Sequence, residues 1–228
     1  MKHTESKKSN KCFMTGCNEA TAWMLPWFIE NFRKHNTDIP IIFFDFGVDA
    51  ATSAWMETTK QFDAIIRLKR PPKVGGWFLK PRALLESPTE YTVWIDTDCE
   101  VLGDLSGIFN YIENGKLAMA VDKPWTKRHG EQWHNSGVIG VRRKPEILRK
   151  WVHECEHAPK RGDQETLHAM LPTPLDKMVS ITDIPNEYNW LRVQLQNDNE
   201  DSPNKKIMHW TGSKGKDVIK EKIKGNYE

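Results

Sequence analysis

Two aspartates follow a short apolar segment near the middle of the chain, and their spacing could hold a metal ion. Asp96 and Asp98 flank Thr97 directly after residues 91–95, whose β-branched, aromatic and aliphatic side chains predict a buried strand. At the carboxyl end of such a strand, both carboxylates would lie at the rim of a sheet, where open α/β folds bind ligands. Hard divalent cations prefer oxygen ligands and often keep positions for substrate phosphates. The motif therefore predicts a cation site, and the alternative is a polar turn with two solvated aspartates.

An acidic pair at the end of a strand serves three kinds of chemistry. In phosphatases of the haloacid dehalogenase type, the first Asp is a nucleophile near the start of the chain, whereas three predicted strands precede Asp96. A two-metal polymerase or nuclease needs further carboxylates around a second ion, and the sequence has no comparable pair at a strand end. A sugar-nucleotide transferase needs one cation, which stabilises charge on the leaving nucleoside diphosphate. We therefore expect a transferase, with a metal-dependent phosphatase or a non-catalytic nucleotide- or carbohydrate-binding protein as alternatives.

Strand and helix patterns alternate on both sides of this motif. Apolar runs predict strands at residues 11–15, 40–44, 64–67, 91–95, 117–121, 137–141 and 206–209. Helical patterns occupy residues 20–35, 50–61, 77–86, 144–156 and 163–171. Turn residues, such as Pro71 and Pro72, separate the elements. The alternation predicts a Rossmann-like α/β fold with a parallel sheet and right-handed crossovers.

Length and composition restrict the class of protein. The 228 residues suit one domain at 1–228, with a nucleotide-binding half at about 11–110 and an acceptor-binding half at about 111–216. The net charge of +2 predicts no nucleic-acid partner. No stretch approaches the roughly 18 to 20 apolar residues of a membrane span, and the polar start does not resemble a signal peptide. Four scattered cysteines argue against zinc and for a reducing compartment, so we expect a soluble, cytoplasmic protein.

Further short motifs lie before and after the acidic pair. They are Thr15-Gly16-Cys17-Asn18, Lys80, Asn135-Ser136-Gly137, Gly162-Asp163-Gln164, Tyr188-Asn189 and His209-Trp210-Thr211-Gly212. Together with residues 94–109, their order resembles the GT-A glycosyltransferases, especially the family of glycogenin and the lipopolysaccharide galactosyltransferases (family eight). The resemblance covers about residues 13–216. It implies a GT-A fold, with a mixed, mostly parallel sheet flanked by helices in a single compact domain.

The resemblance also implies a role for each motif. Asp96, Asp98 and His209 would bind Mn²⁺ or Mg²⁺, while Asp163 and Gln164 would lie at the reacting face of the sugar. Other positions would contact the nucleotide sugar: Thr15, Gly16, Asn18, Lys80, Thr97, Asn135, Ser136, Gly137, Gly212 and Lys214. The implied donor is a UDP-sugar, with UDP-glucose or UDP-galactose as first candidates. The implied reaction transfers a hexose with retention to an acceptor that the sequence does not identify.

Some positions depart from the family pattern or have a structural alternative. In the family, a lysine lies three positions past the glycine of the last motif, whereas Lys214 and Lys216 lie two and four positions past Gly212. Asp163 opens a helical pattern and could be an N-cap alone. Residues 123–134 are expected to form a loop, either mobile over the acceptor cleft or at the plain surface. Trp133 and Trp190, in predicted loops, are candidates for stacking against the acceptor.

Overall fold

The structure is a computed structural model that describes residues 10–68 and 74–225. Its strands are β1 (Lys11–Cys17), β2 (Ile41–Asp45), β3 (Ala64–Arg67), β4 (Tyr91–Ile95), β5 (Cys99–Val101), β6 (Leu117–Val121), β7 (His134–Arg142), β8 (Ile181–Ile184), β9 (Trp190–Leu191) and β10 (Ile207–His209). Its α-helices are α1 (Leu25–His35), α2 (Ala50–Thr59), α3 (Lys80–Leu85), α4 (Lys123–His129), α5 (Glu146–His157), α6 (Asp163–Met170), α7 (Pro174–Ser180), α8 (Arg192–Asn197) and α9 (Gly212–Gly225). Among these described residues, no helix is long and apolar enough to cross a bilayer.

A seven-stranded, mainly parallel sheet forms the centre of the structure, in the order β3-β2-β1-β4-β7-β6-β8. Strands β1 to β4 are parallel, and β7 runs antiparallel to both β4 and β6. The chain builds outwards from β1 through β2 to β3 and then returns to place β4 on the other side of β1. The carboxyl ends of β1 and β4 therefore diverge at a topological switch point, which is where open α/β sheets bind ligands.

Apolar side chains from both faces of this sheet form the core. Successive residues of a strand point to opposite faces, so Phe13 packs into one apolar layer and Met14 into the other. Helix α1 covers the first face with Phe28, and α5 covers the second face with Trp151. Two covered faces explain why the central strands are apolar along their whole length.

A second, three-stranded sheet brings the end of the chain back to the acidic pair. Strand β10 pairs with β5 in antiparallel fashion and with β9 in parallel fashion. In this register His209 lies opposite Cys99, the residue after Asp98. The backbone N–H of Trp210 also donates to the carbonyl oxygen of Asp98 at 2.9 Å. The small sheet therefore carries a distant histidine to the carboxyl end of β4.

The structure confirms most predicted elements and corrects several. The strands predicted at 64–67, 91–95 and 117–121 have the expected bounds, whereas 3-10 turns replace the beginnings of the helices predicted at 20–35 and 77–86. Strand β7 starts before Gly137, so the Asn135 motif lies within a strand. Residues 123–129 form helix α4, although a loop was predicted. The break at Pro71 and Pro72 lies outside the described residues.

Candidate active site

A cleft of about 410 Å³ opens at the switch point, a volume typical of small-molecule sites. Strands β1 and β4 contribute residues from one side, while β7, α6 and β10 contribute from the other. Most predicted site residues line it: Gly16, Asn18, Lys80, Asp96, Thr97, Asp98, Asn135, Ser136, Gly137, Asp163, Gln164 and His209. Motifs that are far apart in the sequence therefore face one common space.

Three predicted donor contacts do not line this cleft. Thr15 is fully buried in β1, and its hydroxyl has no hydrogen-bond partner among the described residues. Gly212 begins α9 with φ +75°, a left-handed conformation that favours glycine, so its visible role is to turn the backbone. Lys214 is exposed, whereas Lys216 lines the cleft and places Nζ 3.9 Å from Asp98 Oδ2. Of the two tail lysines, Lys216 is the one that reaches the acidic pair.

A chain of hydrogen bonds fixes the orientation of the His209 ring. The backbone N–H of Gly137 donates to Asn135 Oδ1 at 2.9 Å, so this atom must be the amide oxygen. Asn189 then donates from Nδ2 to the same oxygen at 2.9 Å and turns its own Oδ1 towards His209 Nδ1 at 3.0 Å. His209 Nδ1 therefore carries a proton, because an amide oxygen only accepts. In a neutral imidazole, the Nε2 lone pair then faces Asp98 Oδ1, which is 3.2 Å away.

A lone pair that faces a carboxylate oxygen requires a positive charge between the two atoms. Either a second proton on His209 or a cation bound by both atoms supplies that charge. Ligand atoms at about 2.0 to 2.2 Å from one ion lie roughly 3 Å apart, which matches the separation of Asp98 Oδ1 and His209 Nε2. Carboxylates suit Mg²⁺ and Mn²⁺, and imidazole suits transition metals. The donor set therefore fits a divalent cation, and Mn²⁺ suits both ligand types.

Cys99 and Asp96 lie near Asp98 and His209, and they differ in their suitability as metal ligands. Asp98, Cys99 and His209 place ligand atoms within 4.8 Å of one another, but the side chain of Cys99 is fully buried in the core. Burial raises the pKa of this thiol well above its usual range, which opposes the thiolate form that binds metals. Asp96 faces the cleft while Trp94 Nε1 donates to its Oδ1 at 2.6 Å. Its role as a third ligand stays a prediction.

The hydrogen bond from His209 to Asn189 gives a first prediction. Replacing Asn189 with alanine removes the acceptor that holds the proton on Nδ1, so the ring can turn or change its tautomer. We expect the Kd for Mn²⁺ to rise about 10- to 100-fold, the usual effect of losing such a partner, measured by calorimetry. Asn186→Ala is the control, because the Asn186 side chain donates to the carbonyl oxygen of Val121 rather than bonding to His209. Equal Mn²⁺ affinities in both variants would contradict this role.

Gly137 gives a second prediction, because its lack of a side chain makes room for the His209 ring. A Cβ placed at Gly137 would overlap the ring atoms of His209. We therefore expect Gly137→Ala to displace the imidazole and to weaken Mn²⁺ binding at least about tenfold. Gly140→Ala in the same strand is the matched control, since its Cβ would meet Ile112 and Ala118. Both variants should lose thermal stability, but only Gly137→Ala should lose metal affinity.

Lys80 is buried between two carboxylates at the floor of the cleft. Its Nζ lies 3.0 Å from both Asp96 Oδ2 and Asp163 Oδ2, and it donates to the carbonyl oxygen of Ser136 at 2.8 Å. Burial alone would lower the pKa of Lys80, but Asp163 and Asp96 outweigh burial and raise it above its ordinary value. Lys80 therefore stays charged and holds both carboxylates in place.

The two aspartates of the acidic pair have different electrostatic environments. Burial raises the pKa of Asp96, Lys80 opposes that rise, and the nearby Asp98 adds to it. Burial also acts to raise the pKa of Asp98, but His209 and Lys216 outweigh it, so this pKa lies below its usual range. Asp98 is therefore the more strongly ionised of the two.

Asp122, which the sequence analysis did not single out, fixes the amide of Gln164. Gln164 Nε2 donates to Asp122 Oδ2 at 3.0 Å, and Asn135 Nδ2 donates to the same oxygen at 3.1 Å. Gln164 Oε1 accepts from Asn135 Nδ2 at 3.1 Å and from the backbone N–H of Ser136 at 3.3 Å. The sequence does carry a signal for Asp122, because this residue directly follows the apolar run at residues 117–121, as Asp96 follows the run at residues 91–95.

Comparisons with solved structures identify the fold. The glycosyltransferase GlyE of Streptococcus pneumoniae TIGR4 matches with a TM-score of 0.66 and 16% identity over 89% of this chain and 54% of GlyE. An active-site mutant of LgtC matches with a TM-score of 0.67 and 13% identity over 93% of this chain and 95% of LgtC. A complex of the galactosyltransferase LgtC with donor and acceptor sugar analogues matches with a TM-score of 0.64 and 14% identity over 88% of this chain and 87% of LgtC. The chain has the GT-A fold.

The GT-A likeness is one of structure rather than of sequence. No family model and no curated protein matches the sequence. The chain spans about half the length of GlyE and nearly the whole length of LgtC. The predicted GT-A fold is thereby confirmed, and the activity is a matter for proposal.

The tryptophans that face the GT-A cleft are not those that the sequence suggested. Trp133 and Trp190 are only 7% and 6% exposed, which corrects their assignment as acceptor platforms. Trp133 stacks on His168, and Lys123 lies over the ring of Trp190. The tryptophans that line the cleft are instead Trp77, which is 62% exposed, the half-buried Trp125 and the buried Trp94. Sequence patterns missed them because they do not show which face of a tryptophan is covered.

Proposed function

We propose that this protein is a metal-dependent glycosyltransferase that moves a hexose from a nucleoside-diphosphate sugar to an acceptor. The observation that carries the proposal is the pairing of Asp98 Oδ1 with His209 Nε2 at 3.2 Å, within a cleft at the switch point. Lys216 adds positive charge beside this pair. A cation with nearby lysines matches the charge of a diphosphate, and GlyE and LgtC share the fold.

In the proposed reaction, the donor lies across the switch point. The base would lie against Gly16 and Asn18 at the end of β1, and the diphosphate would lie between His209 and Lys216. A cation bound by Asp98 and His209, with Asp96 as the further predicted ligand, would neutralise charge on the departing diphosphate. Preorganised electrostatics of this kind is often the largest catalytic contribution. The first half of the chain would thus bind most of the nucleotide, and the second half would supply the sugar site.

The sugar would lie over Asp163 and Gln164. Asp163 would accept hydrogen bonds from sugar hydroxyls, and Lys80 would hold its carboxylate in place at 3.0 Å. Gln164 Oε1 would lie below the anomeric carbon, where its partial negative charge stabilises positive charge that develops as the bond to the diphosphate breaks. Because hydrogen bonds orient both ends of this amide, it needs no rearrangement during the reaction.

The same geometry favours retention by a same-face transfer. A carboxamide is a poor nucleophile, and Gln164 Oε1 already accepts two hydrogen bonds. The acceptor oxygen would attack from the side that the diphosphate leaves, and a phosphate oxygen would take the acceptor proton. A covalent intermediate on Asp163 is the second candidate. The ion pair with the buried Lys80 disfavours it, because it lowers the nucleophilicity of that carboxylate.

A turnover assay tests this function against its alternatives. UDP-glucose and UDP-galactose, the first donor candidates, are incubated with the protein and Mn²⁺ or EDTA, and UDP release is measured by chromatography. Release that requires Mn²⁺ supports a transferase that uses water in the absence of its acceptor. Hydrolysis of p-nitrophenyl phosphate alone would indicate a phosphatase instead. Calorimetric binding of UDP without turnover of any donor would indicate a non-catalytic binding protein.

The cellular setting is part of the same proposal. The four cysteines are buried and form no disulfide among the described residues. Free thiols suit a reducing compartment such as the cytoplasm. The cytoplasmic location predicted from the sequence is therefore retained as a proposal.

A further inference from the structure

Helix α4 places an aromatic ring beside the candidate catalytic amide. Its N-cap is Asp122, whose Oδ1 accepts from the backbone N–H of Trp125 at 3.0 Å. The other oxygen of this carboxylate accepts from Gln164 Nε2 at 3.0 Å. One side chain therefore sets both the start of α4 and the position of Gln164. The half-buried ring of Trp125 lines the cleft at this end.

Both ends of α4 and the ring itself are held in place. Pro124 lies in the first turn, and Gly130 ends the helix in a left-handed conformation with φ +71°. Ion pairs join Lys123 to Glu200 at 3.4 Å and Lys127 to Asp198 at 3.3 Å. The Trp125 ring packs on Trp133 and His129, with ring centroids 4.9 and 5.1 Å apart, and the Arg128 guanidinium lies 5.9 Å from its centroid. A preorganised ring of this kind binds a ligand with little loss of side-chain freedom.

The surroundings of the Trp125 ring are both apolar and polar. Leu191 and Val193 contribute apolar surface to the same cleft, and Glu165 contributes a carboxylate that can accept hydrogen bonds. Sugar rings present C–H groups on their faces and hydroxyls around their edges. The C–H groups can pack on an aromatic ring, and the hydroxyls can donate to a nearby carboxylate. Pockets of this composition orient small ligands by a few polar groups among apolar ones.

We propose that Trp125 is the platform for the acceptor and that the acceptor is a saccharide. The proposal rests on the transferase function and deepens it. The apolar face of the acceptor ring would stack on Trp125, with one hydroxyl directed to the anomeric carbon above Gln164. The acceptor oxygen forms a bond to that carbon, the bond from the carbon to the diphosphate oxygen breaks, and the acceptor proton passes to the leaving phosphate. Trp125 itself exchanges no proton.

Calorimetry and initial rates test the platform separately from the transferase function. Methyl glycosides of glucose, galactose and N-acetylglucosamine are titrated into the protein in the presence of UDP and Mn²⁺. The same glycosides serve as acceptors in the donor assay. We expect at least one glycoside to bind, and Trp125→Ala to raise its Kd and its KM about tenfold while the KM for the donor stays the same. Trp125→Phe, which keeps a smaller aromatic ring, should recover part of the affinity for the glycoside.

Trp23→Ala is the matched control, since Trp23 is 37% exposed and lies beside Lys220, outside the cleft. This variant should bind and use glycosides as the unmodified protein does. Unchanged glycoside binding by Trp125→Ala would overturn the platform, and failure of all glycosides to bind would overturn the saccharide acceptor. If the glycosides bind through Trp125 but no donor is turned over, the transferase function fails, and Trp125 remains a saccharide-binding residue without an acceptor role.

Discussion

Replacing Asp98 with asparagine is expected to abolish Mn²⁺-dependent turnover of the donor. The variant keeps the shape of the side chain but removes the charge that faces His209 Nε2 at 3.2 Å. A cation that stabilises a leaving phosphate contributes several kcal/mol, and each 1.4 kcal/mol corresponds to about a tenfold change in rate. We therefore expect kcat/KM to fall by at least about 100-fold and the Kd for Mn²⁺ to rise in parallel. UDP release and calorimetry measure the two quantities.

The control for this variant is an aspartate that carries charge outside the cleft. Asp217 pairs with Lys220 on the surface of α9, so Asp217→Asn should leave both quantities unchanged. Thermal unfolding of both variants shows whether the fold is intact. Full Mn²⁺-dependent activity in Asp98→Asn would exclude the metal role of Asp98, and with it the observation on which the proposed function depends.

Replacing Gln164 with alanine is expected to lower the rate of the reaction far more than the affinity for the donor. Its amide dipole is fixed by Asp122 and Asn135 before any donor arrives. Loss of one preorganised dipole at a reacting centre typically lowers kcat about 10²- to 10³-fold. The Kd for the donor should change only a few-fold, because Asp163 and the diphosphate site remain. Single-turnover rates and calorimetry with the donor separate these effects.

Equal losses in kcat and in donor binding would mean that Gln164 only positions the sugar. Gln196→Ala provides the comparison, because Gln196 bonds Arg192 on the exposed side of α8. If that variant also loses activity, the assay reports a general effect of substitution in the second half of the chain. A selective loss in kcat for Gln164→Ala supports its place at the reacting carbon.

The sequence predicts the central sheet well because its strands carry local signals. The strand at residues 91–95 is a continuous apolar run bounded by turn residues, and the acidic pair at its end is visible without any tertiary information. Strand–helix alternation is equally local, and it predicts the parallel part of the sheet. The antiparallel insertion of β7 between β4 and β6 has no such signal, since strand direction depends on pairing across long stretches of chain.

The details of the cleft depend on contacts that no local pattern records. The resemblance implies that Gly137 contacts the nucleotide sugar, and the structure adds that its lack of a side chain makes room for His209. Lys216 reaches Asp98 because α9 begins at Gly212, and this helix was not predicted from the lysine-rich tail. The side chains of Trp77 and Trp125 face the cleft because of how two short elements pack. Burial and direction, rather than residue type, decide these roles.

The small sheet brings the two proposed metal ligands, Asp98 and His209, together from parts of the chain that are remote in the sequence. Asp98 precedes β5, and His209 ends β10, its antiparallel partner. Closing a long loop carries an entropic penalty, and a ligand that binds only the closed form shifts the equilibrium towards it. Binding of Mn²⁺ should therefore stabilise the pairing of β5 with β10. Without the ion, the amide hydrogens of the three-stranded sheet are expected to exchange faster than those of the seven-stranded sheet.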